Sequence, residues 1–469
     1  MKESKMLRNY TKIWIDVTDL VGWKGHFTGI QRVEFNLAIR FSQLDNVGFF
    51  MVDGADIRAV NFELLRQEIA IELDRSKDDE ADDFEQNRPQ RSAFRRRLKR
   101  TAEQVVRATP MVSFDATVQT YDRIAHAAKG GAGRVKRRMP IRRSPTGRAE
   151  DNDYVNDLIE FDRGELVLVL GGNWHIHRYM QNLGRAIRRV DSITFGHVMY
   201  DFIPTVQPAF FPAELVKDFR TYIDLVLEDA HIGFAISENT KLDAIRYANQ
   251  VGIAPPPIHT FRLGDHLDSS TPRMPRKLRA NSKQKERASR YDRFIFCPGT
   301  VEVRKNHQSL YHTYRLAAER GIKLPHLIIG GKQGWLAGDV FYQIENDPVV
   351  RDSITILTTC RDQEFAWLYE NSMFVVYPSL YEGWGLPVAE ALQHGKLCVA
   401  SSASSIPEIG GDLVEYFSPD DTGEILEKLH RFSSDDALLA KREELIETTY
   451  EPASWDTAYE QVVAAIKTV

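Results

Sequence analysis

The sequence predicts an α/β protein built from two Rossmann-like domains that face each other across a cleft. Three observations predict it. Short, wholly apolar runs alternate with stretches of helical periodicity, the pattern of a parallel sheet covered on both faces. Several of these runs end in glycine-containing loops that open a helix. A polar stretch rich in Pro, Ser and Lys, Asp268–Arg290, separates two such series and reads as a linker.

In order along the chain, Lys12–Val17 is a β-rich run, followed by a loop holding Gly22, Gly25 and Gly29. Ile30, Val33, Leu37 and Phe41 then recur at helical spacing. Val47–Val52 reads as a strand and Phe62–Leu73 as a helix. Leu166–Leu170, Ile193–Tyr200 and His231–Ile236 are further strands, and Ser237 is placed to cap the helix that follows the last. The second half is more regular. Strands are expected at Phe294–Cys297, His326–Ile329, Ile354–Leu357, Phe374–Tyr377 and Leu397–Ala400. Helices are expected at His307–Glu319, Gln363–Glu370 and Val388–Leu392. This divides the chain into an N-terminal domain over 1–285, a C-terminal domain over 291–450, and a C-terminal helix within 451–469.

Bulk properties narrow the class. At 469 residues there is length for two cores, and 43% hydrophobic with 27% charged residues is ordinary for a globular chain. The net charge of −5 conceals an uneven distribution. A charged insertion at about 75–155 contains 17 Lys/Arg and three Asp/Glu between Arg88 and Arg148, leaving about −19 on the rest. Within it, Phe94, Leu98, Ala102 and Val105 line one face of a basic amphipathic helix. The insertion reads either as a solvated surface segment or as a patch that docks on an anionic membrane through 88–148. Nucleic acid is not expected, because base-stacking aromatics and reading motifs are lacking. No apolar run approaches the ~18 residues of a membrane span, and Met1–Tyr10 has no signal-peptide core. The expected location is cytoplasmic, with peripheral attachment to the inner face of the membrane as an option. Cys297, Cys360 and Cys398 are scattered without metal-ligand spacing and read as free thiols.

Chemistry concentrates in the string Pro378-Ser379-Leu380-Tyr381-Glu382-Gly383-Trp384-Gly385-Leu386-Pro387-Val388-Ala389-Glu390, which follows a strand and opens a helix. Gly383 and Gly385 allow close backbone approach to a ligand. Pro387 suits a first helical turn, whose free N–H groups bind phosphate. Glu382 and Glu390, eight positions apart, can accept from hydroxyls at opposite ends of a sugar-nucleotide. Taken singly, either glutamate reads as a solvated side chain on a β-α turn. The second string, Pro298-Gly299-Thr300-Val301-Glu302-Val303-Arg304-Lys305-Asn306-His307, brings a planar fork and a point charge to a helix start, suited to a diphosphate. Taken alone it reads as a basic surface cap.

Together these strings resemble the E-x7-E and R-K-N elements of retaining glycosyltransferases of the GT-B fold, family 4, of bacterial polysaccharide type. Here Trp384 stands where relatives usually have Phe. The resemblance implies that Glu382 faces the donor sugar, Glu390 holds the ribose, and Arg304 and Lys305 neutralise the departing diphosphate. Glu382, Lys305 and Arg304 are thus the expected catalytic residues. Gly383, Trp384, Gly385, Leu386 and Glu390 join Gly299 and Thr300 on the donor, with Thr28 and Gly29 of the string Thr28–Arg32 approaching its phosphates. Tyr200-Asp201-Phe202-Ile203-Pro204 resembles the family's H-D-L-I-P element, with Tyr200 in place of the usual His and His197 nearby. Asp201, Tyr200, Trp174 and His175 are placed on the acceptor side. Weaker landmarks are Ser237–Thr240, Leu263–Asp265, Gly330–Lys332 and Ser405–Glu408.

The resemblance implies transfer of a sugar from a nucleotide donor, first mannose from GDP-mannose, with a UDP-sugar or dTDP-rhamnose as alternatives. The acceptor is a carbohydrate or lipid-linked glycan of cell-surface polysaccharide synthesis. The nucleotide-sugar is a substrate, and no cofactor or metal is expected. His175 and His177 lack a third ligand, and Asp151-Asn152-Asp153 does not follow a strand and reads as a solvated loop. A non-catalytic sugar-nucleotide-binding component, or an epimerase or hydrolase on the same scaffold, are the readings of other kinds.

Overall fold

The computed structural model describes residues 7, 9–23, 29–78, 153–265, 283–360 and 362–469. The helix expected in the basic insertion, and Thr28, lie outside the described residues, as do Asp151 and Asn152. Asp153 is exposed at the turn before a short strand.

Two sheets organise the chain. The first runs β4-β3-β2-β1-β5-β6-β7-β8, and the second β11-β10-β9-β12-β13-β14. In the first, β1 (Ile13–Asp16), β2 (Val47–Asp53), β5 (Leu166–Val169), β6 (Thr194–Met199), β7 (Ile232–Ala235) and β8 (Ile258–Thr260) are parallel, with Ile13 level with both Val47 and Leu166. The uniform parallel sheet expected for this half needs correction. A hairpin adds β3 (Asp56–Val60) antiparallel to β2, and β4 (Val155–Leu158) pairs antiparallel with β3. β4 is the edge strand and β3 lies between it and β2; both are half-polar, and an antiparallel margin tolerates one wet face. The second sheet comprises β9 (Phe294–Pro298), β10 (His326–Gly330), β11 (Ile354–Leu357), β12 (Phe374–Tyr377), β13 (Cys398–Ser401) and β14 (Glu415–Phe417), all parallel. Central strands such as Leu166–Val169 are buried at every position, which is why they read as unbroken apolar runs.

The stretch expected to be a linker carries structure at its end. Lys283–Ala288 is a short helix beside β11, and Lys285 is buried with its Nζ 2.7 and 2.8 Å from the carboxylate oxygens of Glu364. The expectation failed because a Lys-rich stretch gives no sign that one lysine has a buried partner.

Helices cover both sheets. Helix Glu238–Val251 begins at Ser237, whose hydroxyl accepts from the Thr240 N–H, and ends at left-handed Gly252. The last helix, Trp455–Ile466, leaves the second sheet and packs against helix Gly29–Phe41. There the Phe41 and Tyr459 rings meet edge-on at 5.0 Å, and Arg40 pairs with Asp456 at 2.7 Å. Asp265 anchors this return by accepting from the Tyr450 hydroxyl at 2.7 Å and the Ala453 N–H at 2.9 Å.

Candidate active site

In a parallel sheet the ligand crevice opens beyond the strand C-termini, where neighbouring strands lead their connections to opposite faces. In the second sheet that point lies between adjacent β9 and β12. The two chemistry-bearing strings follow those two strands. In the first sheet it lies between β1 and β5, which lead into helix Gly29–Phe41 and the turn Asn173–His175.

The centre of the candidate site is Glu382, which is 6% exposed. Arg304 Nη1 lies 2.5 Å from its Oε2, and Lys305 Nζ lies 2.6 Å from its Oε1. The Tyr377 hydroxyl donates to Oε1 at 2.7 Å, and the Ser379 hydroxyl also donates to it. Burial pushes the Glu382 carboxyl up, but Arg304 and Lys305 outweigh it and hold the group at about 2. Burial pulls the Lys305 ammonium below its ordinary value against the pull of Glu382. Arg304 also donates to Glu302 at 2.7 Å and to the Tyr381 carbonyl at 2.8 Å. A buried pair of this kind holds a geometry rather than adding much net stability. The result is two cations and two carboxylates, buried and fixed by one another.

Backbone geometry builds the surrounding loop. Ser404, itself left-handed at φ 51°, accepts from the Glu382 N–H, and the Ser405 hydroxyl bonds the carbonyls of Glu382 and Trp384. Gly385 adopts φ 131° at the start of helix Leu386–Gln393, with Pro387 in its first turn. Gly299 adopts φ 126°, and Thr300 is exposed beside it. A Cβ on Gly331 would lie 1.9 Å from the Gly299 carbonyl oxygen, so the loops after β9 and β10 touch through backbone alone. Glu390 accepts from the Tyr369 hydroxyl at 2.8 Å and reaches Arg32 of the first sheet's helix at 3.4 Å. A Cβ on Gly29 would lie 3.1 Å from the Leu386 side chain, which brings the start of helix Gly29–Phe41 to helix Leu386–Gln393.

The acceptor-side residues lie opposite. A Cβ on Gly383 would lie 2.2 Å from the Tyr200 carbonyl oxygen and 2.8 Å from the Asp201 Cβ, and the Ser237 hydroxyl donates to the Gly383 carbonyl at 2.7 Å. Gly383→Ala is therefore expected to push this contact apart. The check is nucleotide-dependent protection of the Ser237 segment from hydrogen exchange, which the variant should lose. Glu408 accepts from the N–H groups of Glu238 and Asn239 at 2.7 and 2.9 Å, capping a first-sheet helix from a second-sheet loop. Asp201 Oδ1 accepts from the Ile203 N–H at 3.0 Å, and burial raises its carboxyl while Arg304 opposes the rise. The Tyr200 hydroxyl donates to the Leu170 carbonyl. His197 is buried with Nε2 2.6 Å from the Tyr222 hydroxyl, and burial holds its imidazole near 3 and neutral. Trp174 is half-buried, and His175 Nε2 lies 3.4 Å from Asp19. Residues the sequence did not single out are Tyr377, Ser379, Glu302, Ser404 and Trp335. Ser404 and Trp335 carry no local signal, because each acts through a contact between distant segments; Tyr377, Ser379 and Glu302 lie within five positions of their partners, in or beside the two strings, and are ordinary residue types there.

Among the described residues no group of three His, Cys, Asp or Glu is placed to hold a metal ion, and no helix is long and apolar enough to cross a membrane. Cys297 and Cys398 are buried and Cys360 partly so, all as free thiols.

Residues 279–451 match the family model for glycosyl transferases group 1. Two curated relatives from Escherichia coli are similar. O-antigen chain mannosyltransferase B is 29% identical over 231 residues, covering 49% of this chain and 58% of that protein. Serotype-specific mannosyltransferase WbdA is 27% identical over 241 residues, covering 49% of this chain and 29% of that protein. The match thus spans about half of the first relative and less of the second. The crystal structure of Anabaena Alr3699/HepE in complex with UDP and glucose has the same fold, with TM-score 0.55, 14% identity, and coverage of 98% of this chain and 100% of that one. The fold is GT-B: α/β, with two Rossmann-like domains. The matches support a glycosyltransferase.

Proposed function

We propose that the chain is a retaining, metal-independent glycosyltransferase of family 4 that moves mannose from GDP-mannose to a carbohydrate or lipid-linked saccharide in cell-surface polysaccharide synthesis. The observation that carries this reading is the buried Arg304–Glu382–Lys305 cluster. Preorganised cations in a dry site stabilise charge as it develops on a leaving diphosphate. The glycosyl C1–O bond to the diphosphate breaks as the C1–O bond to the acceptor forms, and the acceptor's proton passes to the departing phosphate. Arg304 and Lys305 take the diphosphate charge. Glu382, released from them, accepts from sugar hydroxyls, and Glu390 accepts from the ribose. Gly29, Gly299, Gly383 and Gly385 admit the phosphates close to backbone, with Thr300, Trp384 and Leu386 around them. The mannose assignment draws on the relatives named as mannosyltransferases. Attachment to the inner face of the membrane, where lipid-linked acceptors are carried, is part of the same proposal, with the basic segment 88–148 as its docking patch.

The test is a thermal-shift screen with GDP, UDP, dTDP and ADP and their sugar conjugates, with and without EDTA, followed by the anomeric configuration of the product. A ligand that binds only the native state raises Tm by mass action. GDP and GDP-mannose are expected to shift Tm equally with and without EDTA. A shift with UDP or dTDP alone overturns the donor assignment in favour of a UDP-sugar or dTDP-rhamnose. Binding without any transfer supports a non-catalytic sugar-nucleotide-binding component.

A further inference from the structure

A cavity of about 170 Å³ adjoins the candidate site and shares Arg304 with it. Its walls are Trp174, Phe211, Leu215, Phe219 and Tyr222 from the first sheet's side and Trp335 from the loop after β10. Pockets for drug-sized ligands run about 300–1,000 Å³, so this one has room for about one sugar ring. Aromatic faces are the surfaces on which the C–H face of a sugar ring packs.

The charge inventory of the wall is small. Asp201 and Arg304 are its charged side chains, and His197 is neutral in its bond to Tyr222. Arg304 is held by Glu382 and Glu302 and, in the proposed reaction, is taken by the donor diphosphate. A phosphate or carboxylate entering here would find no uncommitted cation and would face Asp201. A neutral ring would find Asp201 as an acceptor for its hydroxyls.

Trp335 spans the two halves of this wall. Its Nε1 donates to the Phe210 carbonyl at 3.0 Å, and its ring lies tilted 5.8 Å from that of Phe211. The loop that carries it is bonded to the loop leading to Arg304: Val301 N–H to the Lys332 carbonyl at 2.9 Å, and Gly334 N–H to the Val301 carbonyl at 2.9 Å. The neighbouring Leu336 is held left-handed at φ 55° and is exposed. Such strain at a non-glycine residue persists only where the surroundings fix it, and it clusters at ligand clamps.

We propose that this cavity is the acceptor subsite for one neutral sugar ring, and that Trp335 is the residue that closes it and sets its specificity. The proposal rests on the glycosyltransferase reading and goes further, to the charge class of the acceptor and the residue that selects it.

The experiment is saturation-transfer NMR on the GDP-loaded protein with methyl α-mannopyranoside, mannose 6-phosphate and glucuronate as probes. GDP binding is read separately by thermal shift, so failure of the donor reading is visible as its own result. The neutral glycoside is expected to receive saturation, and the two charged sugars not. Trp335→Ala should weaken glycoside binding by about tenfold or more, the loss of about 1.4 kcal/mol. Trp335→Phe, which keeps a ring, should retain it. Should Trp335→Ala not fold, Leu215→Trp fills the same cavity and should abolish glycoside binding while the GDP shift persists. Preference for a charged sugar, absence of glycoside binding, or wild-type binding in Trp335→Ala or Leu215→Trp overturns the proposal.

Discussion

Arg304→Ala is expected to lower turnover by about 10²–10³-fold, the loss that follows removal of one donor from a preorganised charge-stabilising site. It should also destabilise the fold by about 3–5 kcal/mol, because removing one partner strands buried charge. The structure names what is stranded. Glu382 and Glu302 both lean on Arg304 at 2.5 and 2.7 Å, and all three side chains are at most 15% exposed. Arg304→Lys restores a charge but not the fork, so it should recover stability in part and activity poorly. Adding Glu302→Gln to Arg304→Ala removes the carboxylate left without a cation, since Lys305 still holds Glu382 at 2.6 Å, and should return part of the lost stability, the signature of coupled neighbours. The acid limb carries the same information. The folded Glu382 sits at about 2, below its ordinary 4.5, so its contribution is complete above pH 4.5 and is lost as pH falls toward 2. In Arg304→Ala that part of the acid limb should flatten. Wild-type turnover and melting in Arg304→Ala would remove this cluster from the mechanism.

Glu34→Gln is expected to stabilise the protein, and more so as pH rises. Glu34 lies on helix Gly29–Phe41, fully buried, with neither carboxyl oxygen hydrogen-bonded, and its Oε2 is 2.8 Å from where a Cβ on Gly171 would sit. Burial, and then the charges of Asp19 and Asp16, push its carboxyl well above the ordinary 4.5. The folded protein therefore keeps a proton that the unfolded chain releases above pH 4.5. Stability falls by about 1.4 kcal/mol for each pH unit above that, until the folded group ionises. Glutamine carries no such linkage. Melting at pH 5 and at pH 8 should show a larger gain at the second than at the first. An equal effect at both pH values would show that Glu34 is ionised in the fold.

What could be read from the residues alone follows from how local each signal is. Leu166–Val169 and Phe374–Tyr377 are buried at every position, so their strands are legible in any window. The strands near the sheet margins are not. Asp56–Val60 mixes exposed, half-buried and buried residues beside a polar hairpin, and Glu415–Phe417 has three residues, of which one is buried. The same division holds at the candidate site. Glu382, Gly383, Gly385 and Glu390 are contiguous, so a motif carries them. Tyr377, Ser404 and Trp335 matter only once β12, the turn after β13 and the loop after β10 are brought together. The pairing of Glu382 with both Arg304 and Lys305 was equally invisible, since 77 positions separate Lys305 from Glu382.

The return of helix Trp455–Ile466 to the first sheet has a consequence for how the protein is made. Phe41 is covered by Tyr459, and Gly264 lies against the Trp455 ring. The first domain to leave a ribosome thus lacks part of its own surface until roughly 420 further residues have been added after Phe41, about 20–80 s at ordinary elongation rates. During that interval the face of helix Gly29–Phe41 that will receive Tyr459 is open to water. The second domain must fold beside an incomplete neighbour, and a helix made after both sheets completes the core of the first.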